Sequence, residues 1–102
     1  MRFTAVAALL AASSAAVSAV NISYGSRGVV PVNYGVCNEA KATPETLVSL
    51  ESTAGDFTCN IVDYNTVSCY GTQKPYKACK RLRNRCISYG GVFDDDACGW
   101  AT

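Results

Sequence analysis

Apolar and polar positions along the chain follow strand-like and helix-like spacings in turn, and together they predict a β-α-β-β-α-β order. Residues 29–36 are rich in β-branched side chains and predict a first strand. Pro31 would confine that strand to a sheet edge or a bulge, because proline cannot donate to a ladder. Residues 57–62 and 66–70 predict the second and third strands, and the polar residues 63–65 between them predict a hairpin connection.

The first helix is predicted from its start and stop signals. Thr43 suits the N-cap, Pro44 suits the first helical position, and Gly55 suits the C-cap. Between these signals the apolar residues at helical spacing are Leu47, Leu50 and Ala54, with Val48 beside them. They are the predicted apolar stripe of this helix.

The second helix is predicted to begin at Pro75 and to end at Gly90-Gly91. One of its faces carries Tyr76, Cys79, Leu82, Cys86 and Tyr89. A last strand or extended tail is expected around the three aspartates at 94–96. The element order is that of a ferredoxin-like α+β domain, and we predict a small disulfide-rich α/β-sandwich with two helices on one face of a four-stranded antiparallel sheet.

The N-terminal residues have the composition of a targeting segment. Arg2 supplies positive charge, residues 6–12 form a short apolar run, and the small residues 17–19 suit a signal peptidase. We expect residues 1–19 to be a signal peptide, residues 20–28 a flexible lead-in, and residues 29–102 a single disulfide-stabilised domain. The mature chain is then expected to be secreted and extracellular, without stable membrane insertion. Asn21, in the sequence Asn-Ile-Ser, is a candidate N-glycosylation site.

The cysteine count predicts three disulfides, because six cysteines in a small exported chain usually pair. The six are Cys37, Cys59, Cys69, Cys79, Cys86 and Cys98. Cys79 and Cys86 are seven residues apart on one helix, so their Cα atoms lie about 10 Å apart and each must tie the helix to another segment. Cys59 and Cys69 either face each other across the hairpin or each reach a helix.

No catalytic constellation is visible in the chain, and we expect no enzyme, no cofactor and no metal site. The sequence contains no histidine, which excludes Ser-His-Asp and Cys-His sites. Zinc sites usually need histidines or closely spaced cysteines. The aspartates at 94–96 lack the calcium-loop pattern and are predicted to form a solvated acidic turn that faces the basic helix.

Basic side chains are concentrated on the second helix, within "YKACKRLRNRC". The candidate partner-binding residues are Lys77, Lys80, Arg81, Arg83 and Arg85. Without Arg2 the chain has eight basic and eight acidic residues, and this balance argues against a nucleic-acid partner. Four interpretations of this basic helix remain open: binding of phosphate or anionic lipid, nuclear localisation, dibasic cleavage, and a simply solvated helix face.

The export signal, small size and six cysteines resemble the small secreted cysteine-rich proteins of filamentous fungi, such as the biotrophy-associated secreted proteins of plant pathogens. The stretch "YKACKRLRNRC" followed by "GGVFDDDACGW" is similar to the late helix, glycine turn and terminal cysteine of the KP6-like killer-toxin fold. That resemblance implies two helices on a four-stranded sheet. It also implies that four cysteines occupy recurring framework positions: Cys59, Cys69, Cys79 and Cys98.

Export, cysteine density, the absence of a catalytic constellation and this resemblance predict a monomeric effector that binds a host protein or surface component during plant infection. Whether it acts outside host cells or after translocation into them stays open. The alternative is a killer-toxin-like antimicrobial protein that acts on competing microbes or their membranes. A third hypothesis is a small hydrolase, or an inhibitor that uses residues 71–74 as an exposed loop.

Overall fold

The computed structural model describes residues 19–71 and 75–95, which form a small α+β fold. Its elements are, in chain order, β1 (Val20–Ser26), β2 (Asn33–Ala40), α1 (Pro44–Ala54), β3 (Phe57–Asp63), β4 (Thr66–Gly71), α2 (Pro75–Ser88) and β5 (Val92–Asp95). Three ranges lie outside the described residues: residues 1–18 of the predicted signal peptide, residues 72–74 of the predicted inhibitor loop, and residues 96–102, which include Asp96 and Cys98.

The strands form one mixed sheet in the order β3-β4-β1-β2-β5. β1 runs parallel to β4, whereas the pairs β1–β2, β2–β5 and β3–β4 are antiparallel. The sheet therefore differs from the predicted one in having five strands and one parallel pair. The element order begins β-β-α and not β-α because a strand precedes the first one that was predicted.

That additional strand is β1, and the prediction of a flexible lead-in at residues 20–28 is wrong for most of its length. Val20, Ile22 and Tyr24 alternate with more exposed positions and are buried in the core. β1 lies in the middle of the sheet and hydrogen-bonds on both sides, to β2 and β4. It is therefore central to the fold.

β2 begins later than predicted and is not an edge strand. Residues 29–32 belong to the loop after β1, so Pro31 stays outside the ladder. The loop is closed by Ser26, whose N–H donates to the Val32 carbonyl at 2.8 Å. The Ser26 side-chain oxygen accepts the Val32 N–H, also at 2.8 Å. β2 then runs between β1 and β5, with register shifts against β1.

The helix signals of α1 are confirmed. The Thr43 side chain accepts the Thr46 N–H at 3.2 Å, and Gly55 adopts a left-handed conformation at φ 81° while its N–H donates to the Glu51 carbonyl. The predicted stripe is corrected, since the buried residues of α1 are Leu47 and Glu51. Leu50 is 45% exposed. A carboxylate thus occupies the inner face where leucine was expected.

Both helices pack on the same face of the sheet. Ile22 and its β2 partner Cys37 share that face with Tyr24, which hydrogen-bonds to Glu51 of α1. Cys37 is disulfide-bonded to Cys86 of α2. The buried residues on this face form the core: Val20, Ile22, Tyr24, Tyr34, Cys37, Ala40, Leu47, Phe57, Val67, Cys69, Cys79, Leu82 and Cys86.

Two disulfides are described, Cys37–Cys86 and Cys59–Cys69. The first ties α2 to the sheet, as the helix geometry required, and the second crosses the β3–β4 hairpin. Cys79 is also disulfide-bonded, and no cysteine among the described residues is free. The remaining cysteine of the sequence, Cys98, lies outside the described residues.

Candidate functional site

The second helix, which carries the predicted partner-binding residues, is fixed to the sheet along its inner face. Cys79, Leu82 and Cys86 are buried, as their spacing predicted, and Cys86 is covalently bound to β2. Gly91, just after the helix, lies against this disulfide, because a Cβ there would be 2.8 Å from the Cys37 Sγ and 2.7 Å from the Asn38 carbonyl oxygen. Only glycine allows so close an approach of the chain.

A buried ion pair connects the two helices beneath this surface. The Glu51 side chain is fully buried. It accepts two hydrogen bonds from Arg85, Nη2 to Oε1 at 2.8 Å and Nε to Oε2 at 3.1 Å. It also accepts the Tyr24 hydroxyl at 3.2 Å and the Tyr89 hydroxyl. A carboxylate enclosed by four donors has no contact with solvent, so its chemistry here is to hold α1, α2 and β1 together.

The protonation states in this cluster follow from its burial away from water and from the charge of Glu51. Burial, and then the charge of Glu51, raise the pKa of Tyr24 far above its ordinary value. Burial, and then the hydrogen bond to Glu51, raise the pKa of Tyr89 in the same way. Burial alone would lower the pKa of Arg85, but the hydrogen bonds and attraction to Glu51 outweigh it and leave that pKa raised. Both tyrosines are thus held as neutral donors, and the arginine as a cation.

Further ion pairs extend from this cluster to the surface. Asp56, in the turn between α1 and β3, accepts bonds from Arg81 at 2.9 and 3.2 Å and from Arg85 at 3.3 Å. On the β5 side, Arg83 pairs with Asp95 at 3.1 Å. Asp95 lies in a strand and not in the predicted turn, but the expected approach of this acidic segment to the basic helix is confirmed.

The predicted partner-binding residues therefore differ in what they present outward. Arg85 points to buried Glu51, Arg81 and Arg83 are paired at the surface, and Lys80 is exposed. Lys77 lies in the first part of α2. The outer face of α2, by which we mean the exposed side chains among residues 79–88, consists of Lys80, Arg81, Asn84, Ile87 and Ser88.

Two features of this surface were not recognised from the sequence. Ile87 is 62% exposed between polar neighbours, although a lone isoleucine on a helix would ordinarily be assigned to the core. Asp56 accepts hydrogen bonds from two arginines. The sequence signal that could have pointed to this role was its position one residue after the helix C-cap. Elsewhere, the glycosylation candidate Asn21 is exposed, and its side-chain oxygen accepts the Glu39 N–H at 3.1 Å.

Comparison of the chain with protein-family models, curated proteins and solved structures finds no match. Among residues 19–71 and 75–95, no helix has the length and apolar character needed to cross a bilayer. Within the same ranges, no cluster of three or more acidic or cysteine side chains is arranged to hold a metal ion. The functional assignment therefore depends on the surface itself.

Proposed function

We propose that the protein is a secreted effector that acts by binding a host component, without catalysis, through the outer face of α2. The observation that carries the proposal is that contacts of its inner side hold α2 in place. The Cys37–Cys86 disulfide and the Glu51–Arg85 pair hold α2 against the sheet while Lys80 and Ile87 stay exposed. A rigid surface loses little conformational entropy on binding, which favours affinity.

The composition of this face supports a protein or cell-surface partner. Ile87 offers apolar contact area, and Lys80 and Arg81 flank the same side of the helix with positive charge. Arg81 keeps 53% of its side chain exposed despite its bond to Asp56. Small apolar anchors surrounded by charged residues are typical of interfaces, where the anchor supplies affinity and the charges supply orientation. Residues Arg83 and Arg85 contribute chiefly by holding the helix in place.

The test is a double variant, Lys80→Glu with Ile87→Asp, which changes the outer face of α2 without touching an ion pair of the described residues. The matched control is Lys41→Glu with Leu50→Asp, which makes the same changes of charge and polarity at exposed positions outside α2. Oxidised protein of each kind is used for affinity capture from infected plant tissue and in a host-phenotype assay. We expect the α2 variant to lose a captured host component that the control and the unchanged protein retain.

Two outcomes would contradict the proposal. Equal capture and phenotype for the α2 variant and the control would show that this face is not the interface. Growth inhibition of competing microbes, or dye leakage from anionic vesicles, that depends on Lys80 and Ile87 would favour the killer-toxin-like alternative.

A further inference from the structure

The outer edge of β3 presents backbone groups that no other described strand uses. β3 is the terminal strand of the sheet, and Cys59 faces Cys69 of β4 with their Cα atoms 4.0 Å apart. This separation is typical of a non-hydrogen-bonded antiparallel pair. The N–H and C=O groups of Cys59 therefore point away from β4, and those of Phe57 and Ile61, two residues to either side, do so as well.

Apart from a register shift between Ile61 and Asp63, this edge lacks the features that protect exposed strands from pairing. The opposite edge, β5, is four residues long and contains two aspartates. β3 is seven residues long, contains no proline, lysine or arginine, and carries its one acidic side chain at its end, Asp63. Ile61 and Val62 are exposed along it. Edges of this kind accept an additional strand, whereas short charged edges do not.

A shallow acidic pocket lies at the end of the same edge. It has a volume of about 290 Å³ and is lined by Val20, Thr43, Pro44, Glu45, Ile61, Asp63 and Tyr64. In the part of the chain that the structure describes, neither Glu45 nor Asp63 has an ion-pair partner. Tyr64 is 82% exposed, and its ring is available to a cation. Two carboxylates and an aromatic ring are suited to a lysine or arginine side chain.

We propose that an extended segment of a partner protein adds to the β3 edge as a further strand and places a basic side chain in this pocket. Backbone hydrogen bonds to Cys59 and Ile61 would supply affinity, and the acidic pocket would supply specificity. A second copy of this chain is a poorer occupant, because β3 itself contains no basic residue to fill the pocket. The surface is separate from the outer face of α2, so this proposal does not depend on the proposed function.

The probe is a labelled seven-residue peptide, Thr-Val-Thr-Arg-Thr-Val-Thr, with blocked ends, in which every residue except the arginine is β-branched and favours an extended chain. Two controls are the same peptide with glutamate in place of arginine and the same peptide with alternate amides N-methylated. Binding to the oxidised protein is measured by fluorescence anisotropy. We expect the arginine peptide to bind at least tenfold more tightly than either control, and to slow hydrogen exchange at the Cys59 and Ile61 amides.

Two variants locate the site. Ile61→Pro removes an outward N–H without breaking a β3–β4 bond, and it is expected to abolish peptide binding. Glu45→Gln with Asp63→Asn keeps the hydrogen-bonding shapes but removes both charges, and it is expected to weaken binding about three- to tenfold. Its matched control, Glu39→Gln with Asp94→Asn, removes two exposed carboxylates away from the pocket and should leave binding unchanged.

Three results would overturn the proposal. The first is no difference between the arginine peptide and its controls. The second is retention of full affinity in the variant that lacks the Glu45 and Asp63 charges, which stays informative even where Ile61→Pro does not fold. The third is a dimer of the peptide-free protein in sedimentation that Ile61→Pro dissociates, which would assign the edge to a second copy of this chain.

Discussion

The Arg85 guanidinium and the Glu51 carboxylate meet in a bidentate pair beneath α2, with N–O distances of 2.8 and 3.1 Å. Glu51 is fully buried, and the Arg85 side chain is 18% exposed. The pair joins two helices that are separated by the β3–β4 hairpin in the chain. A charge buried in this way is tolerated only while its partner is present, because the desolvation penalty is otherwise uncompensated.

Removal of either partner is therefore expected to destabilise the fold strongly. Arg85→Ala should lower the free energy of unfolding by about 3–5 kcal/mol, because it leaves the Glu51 carboxylate buried without its cation. Arg81→Ala is the control, since it also removes an arginine bonded to Asp56 but from an exposed pair, and it should cost no more than about 1 kcal/mol. Urea unfolding followed by circular dichroism measures both. Equal losses would contradict the structural role given to Glu51–Arg85.

The two buried tyrosines of the neighbouring strands provide a second comparison. The Tyr24 hydroxyl donates to Glu51, whereas the buried Tyr34 hydroxyl has no hydrogen-bond partner among the described residues. Tyr24→Phe is expected to lower the free energy of unfolding by about 1.5–3 kcal/mol, because the bond it removes is to a charged group. Tyr34→Phe should be neutral or stabilising, since it removes an unpaired buried hydroxyl. Thermal melting of the two variants distinguishes them, and a larger loss for Tyr34→Phe would refute this explanation.

Local signals along the chain predicted a large part of this fold. The features predicted correctly depend on residues that are close together in the sequence. They are the Thr43 N-cap, the Gly55 C-cap, the hairpin around residues 63–65 and the buried stripe of Cys79, Leu82 and Cys86. Interactions of such short range are readable from spacing alone. The two helices and four of the five strands follow from them.

The parts that were missed depend on contacts far apart in sequence. The alternation of Val20, Ile22 and Tyr24 was a strand signal, but it lies between a predicted cleavage site and glycines, which favoured a flexible segment. The parallel partner of this strand, β4, is also distant in the chain. Glu51 gave no signal at all, because a glutamate at a core-facing helix position is predicted to be solvated until its partner is known. The edge of β3 is likewise visible only once the strand order is known.

Alkaline pH is expected to unfold the protein through its buried tyrosines. The folded-state pKa of Tyr24 is raised above the ordinary value of 10.0. Above that pH the unfolded chain therefore releases a proton that the folded chain retains. Stability is then fully present below about pH 10, and Tyr24 alone makes it fall by about 1.4 kcal/mol per pH unit above that. Urea unfolding across this range measures the slope, which should be shallower in Tyr24→Phe; an unchanged slope in that variant would contradict the assignment.

The two described disulfides are expected to contribute unequally to stability. Cys37–Cys86 spans 49 residues and Cys59–Cys69 spans 10, and a longer closed loop restricts the unfolded chain more. On loop entropy alone, replacing the first pair by alanines should cost about 4 kcal/mol and replacing the second about 3 kcal/mol. Burial increases the difference, because Cys37 and Cys86 are both fully buried in the core. The hairpin double variant is the matched control, because it also removes two sulfur atoms and one disulfide. Chemical unfolding of both proteins gives the comparison. A hairpin variant that is the less stable of the two would mean that β3–β4 pairing, and not the attachment of α2 to the sheet, limits the stability of this fold.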